Sequence, residues 1–162
     1  MEARKLMGLC PDCGNLRDAL EDRCPFCDCL GAPLPSPDIS DVVFVIDLEA
    51  GMPAVEDALE RLDGLLRKTQ EAGIRMVKVI HGYGSSGKGG LIRLAFLEGL
   101  QSHRWADRIR DYLPGESLKA GSEALRGLSR HHQQLIKSLK GGSQGNPGMT
   151  ILIMTQGAPL SN

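Results

Sequence analysis

The chain of 162 residues is 41% hydrophobic and 24% charged, the balance of a soluble globular domain with room for one small extra module. Its longest apolar run, Val42-Val43-Phe44-Val45-Ile46, falls far short of the ~20 residues a membrane helix needs. Met1 leads into Glu2-Ala3-Arg4-Lys5 with no apolar stretch behind it, so a cytoplasmic chain with neither membrane contact nor secretory signal is expected. Net charge is −1, but residues 1–71 carry 15 acidic and 7 basic side chains, whereas residues 72–162 carry 5 and 12. That asymmetry favours an electropositive face in the second half.

All five cysteines lie between positions 10 and 29. Cys10, Cys13, Cys24 and Cys27 form two C-x2-C turns separated by ten residues. Each turn presents two thiolates toward one point, and two turns complete a four-cysteine tetrahedral site. Pro follows the first cysteine of each pair, and Gly14 follows the first pair. Disulfides do not suit a reducing compartment. The pattern therefore predicts a zinc-ribbon-like module over residues 1–30, with iron as the alternative metal and Cys29 as a spare thiol. Some thirty residues bury little core, so metal binding is expected to supply most of the folding energy.

Pro33, Pro35 and Pro37 make residues 31–38 a stiff spacer. A second unit, residues 39–155, opens with a β-branched strand over Asp41–Leu48. From Pro53 the period becomes helical, with Val55, Ala58, Leu59, Leu62, Leu65 and Leu66 on one side and Gly73 as the stop. Ile74–Ile80 is a second strand. A strand–helix–strand connection of this length makes the two strands parallel, so both end at one sheet edge.

At that edge runs His81-Gly82-Tyr83-Gly84-Ser85-Ser86-Gly87-Lys88-Gly89-Gly90, followed by a helix from Leu91. Five glycines before a helix N-terminus let the backbone approach a ligand, and free amides, the helix dipole and Lys88 all favour an anion. Gly82-x-Gly84-x-x-Gly87 has the spacing of a dinucleotide fingerprint but sits on the second strand. Gly82-x4-Gly87-Lys88 has the spacing of a P-loop, but Gly89 stands where magnesium needs Ser or Thr. Ser122–Lys140 reads as a further helix, Gly141–Gly145 as a connector, and Asn146–Ile153 as a closing strand. Residues 156–162 form a tail.

The segment His81-Gly82-Tyr83-Gly84, then Gly87-Lys88-Gly89-Gly90-Leu91-Ile92-Arg93, resembles the H-G-x-G loop of the small MutS-related (Smr) domain. The strand ending Asp47-Leu48 is similar to the start of that family's D-L-H-G motif, and Asn146–Ile153 to its closing strand. The resemblance spans residues 41 to about 154. It implies an α/β two-layer sandwich, a four-stranded mixed sheet with two helices on one face, and nucleic-acid binding, with cleavage in some members. Two departures stand out. The D-L-H-G position reads Asp47-Leu48-Glu49-Ala50, and the Ser122–Lys140 helix is extra.

The candidate nucleic-acid contacts are therefore His81 to Gly90 and Arg93, with Lys88 and Arg93 on phosphates and Tyr83 placed to stack on a base. Arg104, Arg108 and Arg110 extend the basic run around Trp105, which reads as core. Asp47, Glu49 and His81 form an alternative catalytic set that would hold Mg2+ or Mn2+ for phosphodiester cleavage. The competing reading has Asp47 ordering the loop and Glu49 capping the helix or facing solvent. A third possibility, of another class, is an adaptor that docks a protein partner through the zinc module.

Overall fold

The computed structural model describes residues 7–35, 42–51, 53–82, 88–118, 122–137, 139 and 147–155. The cysteine segment folds as a small three-stranded antiparallel sheet, β1 (Met7–Leu9), β2 (Leu16–Asp18) and β3 (Leu34–Pro35), in the order β2-β1-β3. Its third strand comes from the proline-rich segment, so the module's sheet extends past residue 30.

The second unit runs β4 (Val43–Asp47), α1 (Val55–Ala72), β5 (Met76–Ile80), α2 (Lys88–Gln101) and β6 (Ile109–Pro114). A short 3-10 turn (Gly115–Ser117), α3 (Glu123–Arg126), α4 (Arg130–Lys137) and β7 (Met149–Met154) complete it. The sheet order is β4-β5-β7-β6. β4 and β5 are parallel, as the length of their connection requires, and β7 is antiparallel to both of its neighbours. The fold is thus α/β with a mixed four-stranded sheet. Among the described residues no helix is long and apolar enough to cross a membrane.

Strand periodicity places the two cores. Phe44, Ile46, Val77, Val79, Leu152 and Met154 face α1 and α2 and pack on Ala58, Leu62, Leu66, Ile92 and Phe96. The alternate residues Met76, Met149, Ile151 and Ile153 face the opposite way and are covered by Leu118, Leu135 and Ile136. All six residues of β7 are consequently buried. The two expected helices occupy one face, and the added segment supplies a third layer on the other. That segment is two helices, not one. Ser122 caps α3 by accepting from the Leu125 amide, and Ser129 accepts from the His132 amide at the start of α4. Gly127 closes the first of the two.

The module sits against β4, which is an edge strand. The Asn15 carboxamide donates to the Val45 carbonyl at 2.7 Å and accepts from the Val45 amide at 2.5 Å. It thus pairs with the edge as a neighbouring strand would. Phe26 meets Phe44 edge-on at 4.9 Å between ring centroids, and Leu16 belongs to the α1/α2 core. Asn15→Ala leaves one buried donor and one buried acceptor without partners. It should lower the unfolding free energy by about 2 kcal/mol in urea titration. An unchanged midpoint would show that the module is not held by this pair.

Candidate functional site

The two C-x2-C turns are built alike. The Gly14 amide donates to the Cys10 carbonyl, and the Asp28 amide to the Cys24 carbonyl, each at 2.8 Å. The Cys10 amide donates to the Asn15 carbonyl and the Cys24 amide to the Cys29 carbonyl, each at 2.9 Å. Gly14 and Asp28 both take left-handed φ, +74° and +66°. The second position is one that Asp tolerates better than most side chains. The sulfurs of Cys10, Cys13, Cys24 and Cys27 all lie within 4.8 Å of one another. Cys10 to Cys27 is 3.5 Å and Cys13 to Cys24 is 3.7 Å. A tetrahedral ion with metal–sulfur bonds of ~2.3 Å needs sulfurs about 3.8 Å apart, so the cluster fits one.

Thiol acidity follows the same crowding. Burial pushes the Cys10 thiol up. The Cys13 and Asp12 amides and the thiols of Cys29 and Cys27 outweigh it and bring Cys10 down to about 6. Burial raises Cys13 to about 11 and Cys27 to about 12, with help from neighbouring sulfurs. The Gly31 amide favours a thiolate at Cys29, yet the Cys10 sulfur beside it, burial and further neighbours hold it at about 11. Near neutral pH Cys10 is thus mainly a thiolate, while Cys13, Cys27 and Cys29 keep their protons until a bound cation displaces them. Arg17, 1% exposed, donates to the carbonyls of Gly31 and Glu21 and so pins the chain on both sides of the second turn.

At the shared edge of β4 and β5, the His81 and Gly82 amides both donate to the Gly148 carbonyl, at 3.0 and 2.9 Å. The His81 side chain turns into the α1/α2 core, 1% exposed, with its ring 5.5 Å from that of Phe96. Its Nδ1 is 3.0 Å from the Gly82 carbonyl oxygen and its Nε2 is 2.8 Å from Thr150 Oγ1. A carbonyl only accepts, so Nδ1 carries the proton and Nε2 accepts from the Thr150 hydroxyl. Both ring nitrogens are therefore engaged. Burial lowers the imidazole's pKa, and Arg93 adds to that, against the Gly82 hydrogen bond and Glu116.

Asp47 accepts from the Glu49 amide at 2.9 Å, which orders the turn after β4. Glu49 lies against Gly82 (φ +75°), where any side chain would overlap its carboxylate. It does not cap α1, whose N-cap is Ala54 with no side-chain bond. Asp47, Glu49 and His81 are thus neighbours along the edge, but their donor atoms do not converge. Among the described residues only cysteine-containing groups lie close enough together to hold an ion.

Tyr83, Gly84, Ser85, Ser86 and Gly87 lie outside the described residues, as do the 141–145 connector and the tail. Past the loop, α2 begins at Lys88-Gly89-Gly90 with no acidic residue in its first turn. The Nε of Arg93 is buried without a partner among the described residues. Trp105 is core, 4% exposed, and donates to Asp63 at 2.5 Å. Arg104 also bonds Asp63 and lies over the Trp105 ring, so it braces α1. A cleft of about 770 Å3 opens between module and sheet, lined among others by Asp12, Cys13, Cys27, Asp28, Asp47 and Arg61.

Sequence patterns did not single out Asn15 or Glu116. Thr150 entered only through the resemblance of the closing strand, with no partner assigned to it. The lowered His81 pKa has a definite sign. Below the ordinary imidazole value of 6.5, the unfolded chain takes up a proton that the native state resists. Stability is therefore full above that value and falls on acidification toward the lower folded-state pKa. His132, lowered chiefly by burial, adds in the same direction. The drop in urea midpoint from about pH 7 to about pH 5 should shrink in His81→Asn. An equal drop in both proteins would mean that His81 is not the linked group.

A family model described as the Smr domain matches residues 46–122. Among solved structures, the chain is similar to the Smr domain of Thermus thermophilus MutS2, with 19% identity and a TM-score of 0.43, over 70% of this chain and 99% of that one. No curated protein matches. The family is generally one of nucleic-acid binding and nuclease-related domains. The matched span takes in the end of β4, the β5–α2 junction and β6, which is where the H-G-x-G segment lies, and over those residues the chain is similar to the Smr domain family.

Proposed function

We propose that this protein binds nucleic acid, RNA or DNA, at the β5–α2 junction, and that Cys10, Cys13, Cys24 and Cys27 hold a zinc ion that folds the N-terminal module. The observation that carries the first part is the uncompensated positive end of α2. Its first turn has no acidic residue, Lys88 opens it, and the Arg93 Nε, buried, has no partner among the described residues. Free amides, the dipole and two cations at a glycine-rich loop suit a phosphate backbone. The loop that follows His81, Gly82 to Gly90, is the contact segment on this reading, with Tyr83 as its stacking residue and the buried His81 holding its base.

Cleavage is not part of the proposal. A nuclease needs a group that exchanges a proton with substrate or metal-bound water, and both His81 nitrogens are occupied within the fold. A gel-shift and nuclease assay on mixed RNA and DNA, with and without Mg2+ or Mn2+, should show binding and no metal-dependent cleavage. Cleavage abolished by Glu49→Gln would reverse this. Lys88→Ala should weaken binding across sequences and reduce the salt slope by about one. Unchanged affinity and slope would remove the loop from the interface.

A second reading, in which the module docks a protein partner, draws on exposed Leu20, Leu30 and Leu34, which stand 78%, 70% and 53% accessible. For the metal, elemental analysis should find zinc retained through dialysis in the native chain and in Cys29→Ser. Loss in that variant would overturn the ligand assignment.

A further inference from the structure

We propose that Asp12, Cys27 and Cys29 form a second site, for a thiophilic divalent cation such as zinc or cadmium. It shares the Cys27 sulfur with the four-cysteine site and leaves one coordination position open. The inference rests on the reading that the four cysteines hold an ion.

The donor atoms of Asp12, Cys27 and Cys29 all lie within 4.8 Å of one another, the same closeness that defines the four-cysteine group. Cys29 is turned into the cluster. Its sulfur is 3.4 Å from that of Cys10, and the Gly31 amide donates to it at 3.3 Å. The internal repeat sharpens the point. Cys29 occupies in the second turn the place of Asn15 in the first. The first turn spends that position on docking to Val45, while the second turn returns a sulfur to the metal cluster.

Charge supplies the driving force. A divalent ion in four thiolates carries a net charge of −2. The Asp12 carboxylate beside it adds further negative charge at the same place. A second cation bridged by Cys27 neutralises that charge. Asp12 and Cys27 are exposed, so an ion enters from solvent. Three protein donors leave a fourth position for water, the arrangement of reactive rather than closed structural sites. Asp12 and Cys27 also line the cleft between module and sheet, so the open position is reached from there.

The test is ion counting on the full-length, reduced protein titrated with zinc and, separately, cadmium, by native mass spectrometry and elemental analysis. The native chain should saturate at two ions, and Asp12→Asn and Cys29→Ser at one each, with the module still folded by circular dichroism. Saturation of the native chain at one ion would overturn the second site. Retention of two ions in either variant would place the second ion elsewhere and overturn it too. A Cys29→Ser chain without metal would assign Cys29 to the first site, with the same consequence. A native chain that binds no ion would instead remove the four-cysteine reading, so the two failures are distinguishable.

Discussion

The geometry of the candidate site depends on one buried imidazole. His81 ends β5, and its backbone and that of Gly82 converge on a single carbonyl, Gly148, just before β7. Its ring then crosses to Thr150 and packs on Phe96 of α2. One residue therefore ties two strands and the following helix at the point where the glycine-rich segment leaves the sheet. A loop rich in glycine has little preference of its own, so its two ends must be fixed by the scaffold. A neutral, doubly bonded histidine does this without placing a charge in the core. The motif histidine serves here as an architectural residue beneath the loop.

A second constraint sits on the neighbouring strand. β4 is an edge, and an open edge beside an apolar core invites pairing with other chains. Asn15 covers its centre by imitating a strand, and Phe26 and Leu16 extend the core outward. The same residue that closes the first metal turn through its carbonyl thus docks the module through its side chain. Folding of the module and protection of β4 are linked through Asn15. On the proposed reading, loss of a bound ion would be felt at β4, which ends in Asp47 just before Glu49.

Much of this was legible in the sequence where a single period or spacing governed a segment. The C-x2-C pairs and the parallel β4–α1–β5 unit each follow from local pattern, and so does α2, although it begins at Lys88 and not at Leu91, taking in two glycines that read as loop. β6 did not, because its pairing with β7 shifts register between Ile109 and Asp111. The shift breaks the alternation and exposes Arg110 and Asp111, so the strand reads as part of a basic run. The helix expected over Ser122–Lys140 is split because Ser129 starts a new cap after Gly127, although the apolar positions continue across the break. The direction of His81 was open in the sequence. A histidine at the mouth of a loop suits a ligand contact and an ordering hydrogen bond equally, and the position of Thr150 across the sheet decides for the second.

Glu49 brings these threads together. It stands where the resemblance expects a histidine, and its carboxylate fills the space above Gly82. The φ of +75° is what favours glycine at position 82, and the absence of a side chain there leaves room for the carboxylate. With Asp47 two residues before it, Glu49 makes the β4 side of the edge negative, while Lys88 and Arg93 lie on the α2 side. On the proposed reading a phosphate backbone follows the α2 side and is turned away from β4. A carboxylate does not donate a proton to a leaving oxygen near neutral pH unless its pKa is strongly raised, and the one nearby imidazole has no free nitrogen. The mixed sheet and the charge separation across its edge are therefore present without a matching pair of proton-exchanging groups, which on the proposed reading suits a surface that holds a phosphate chain in place.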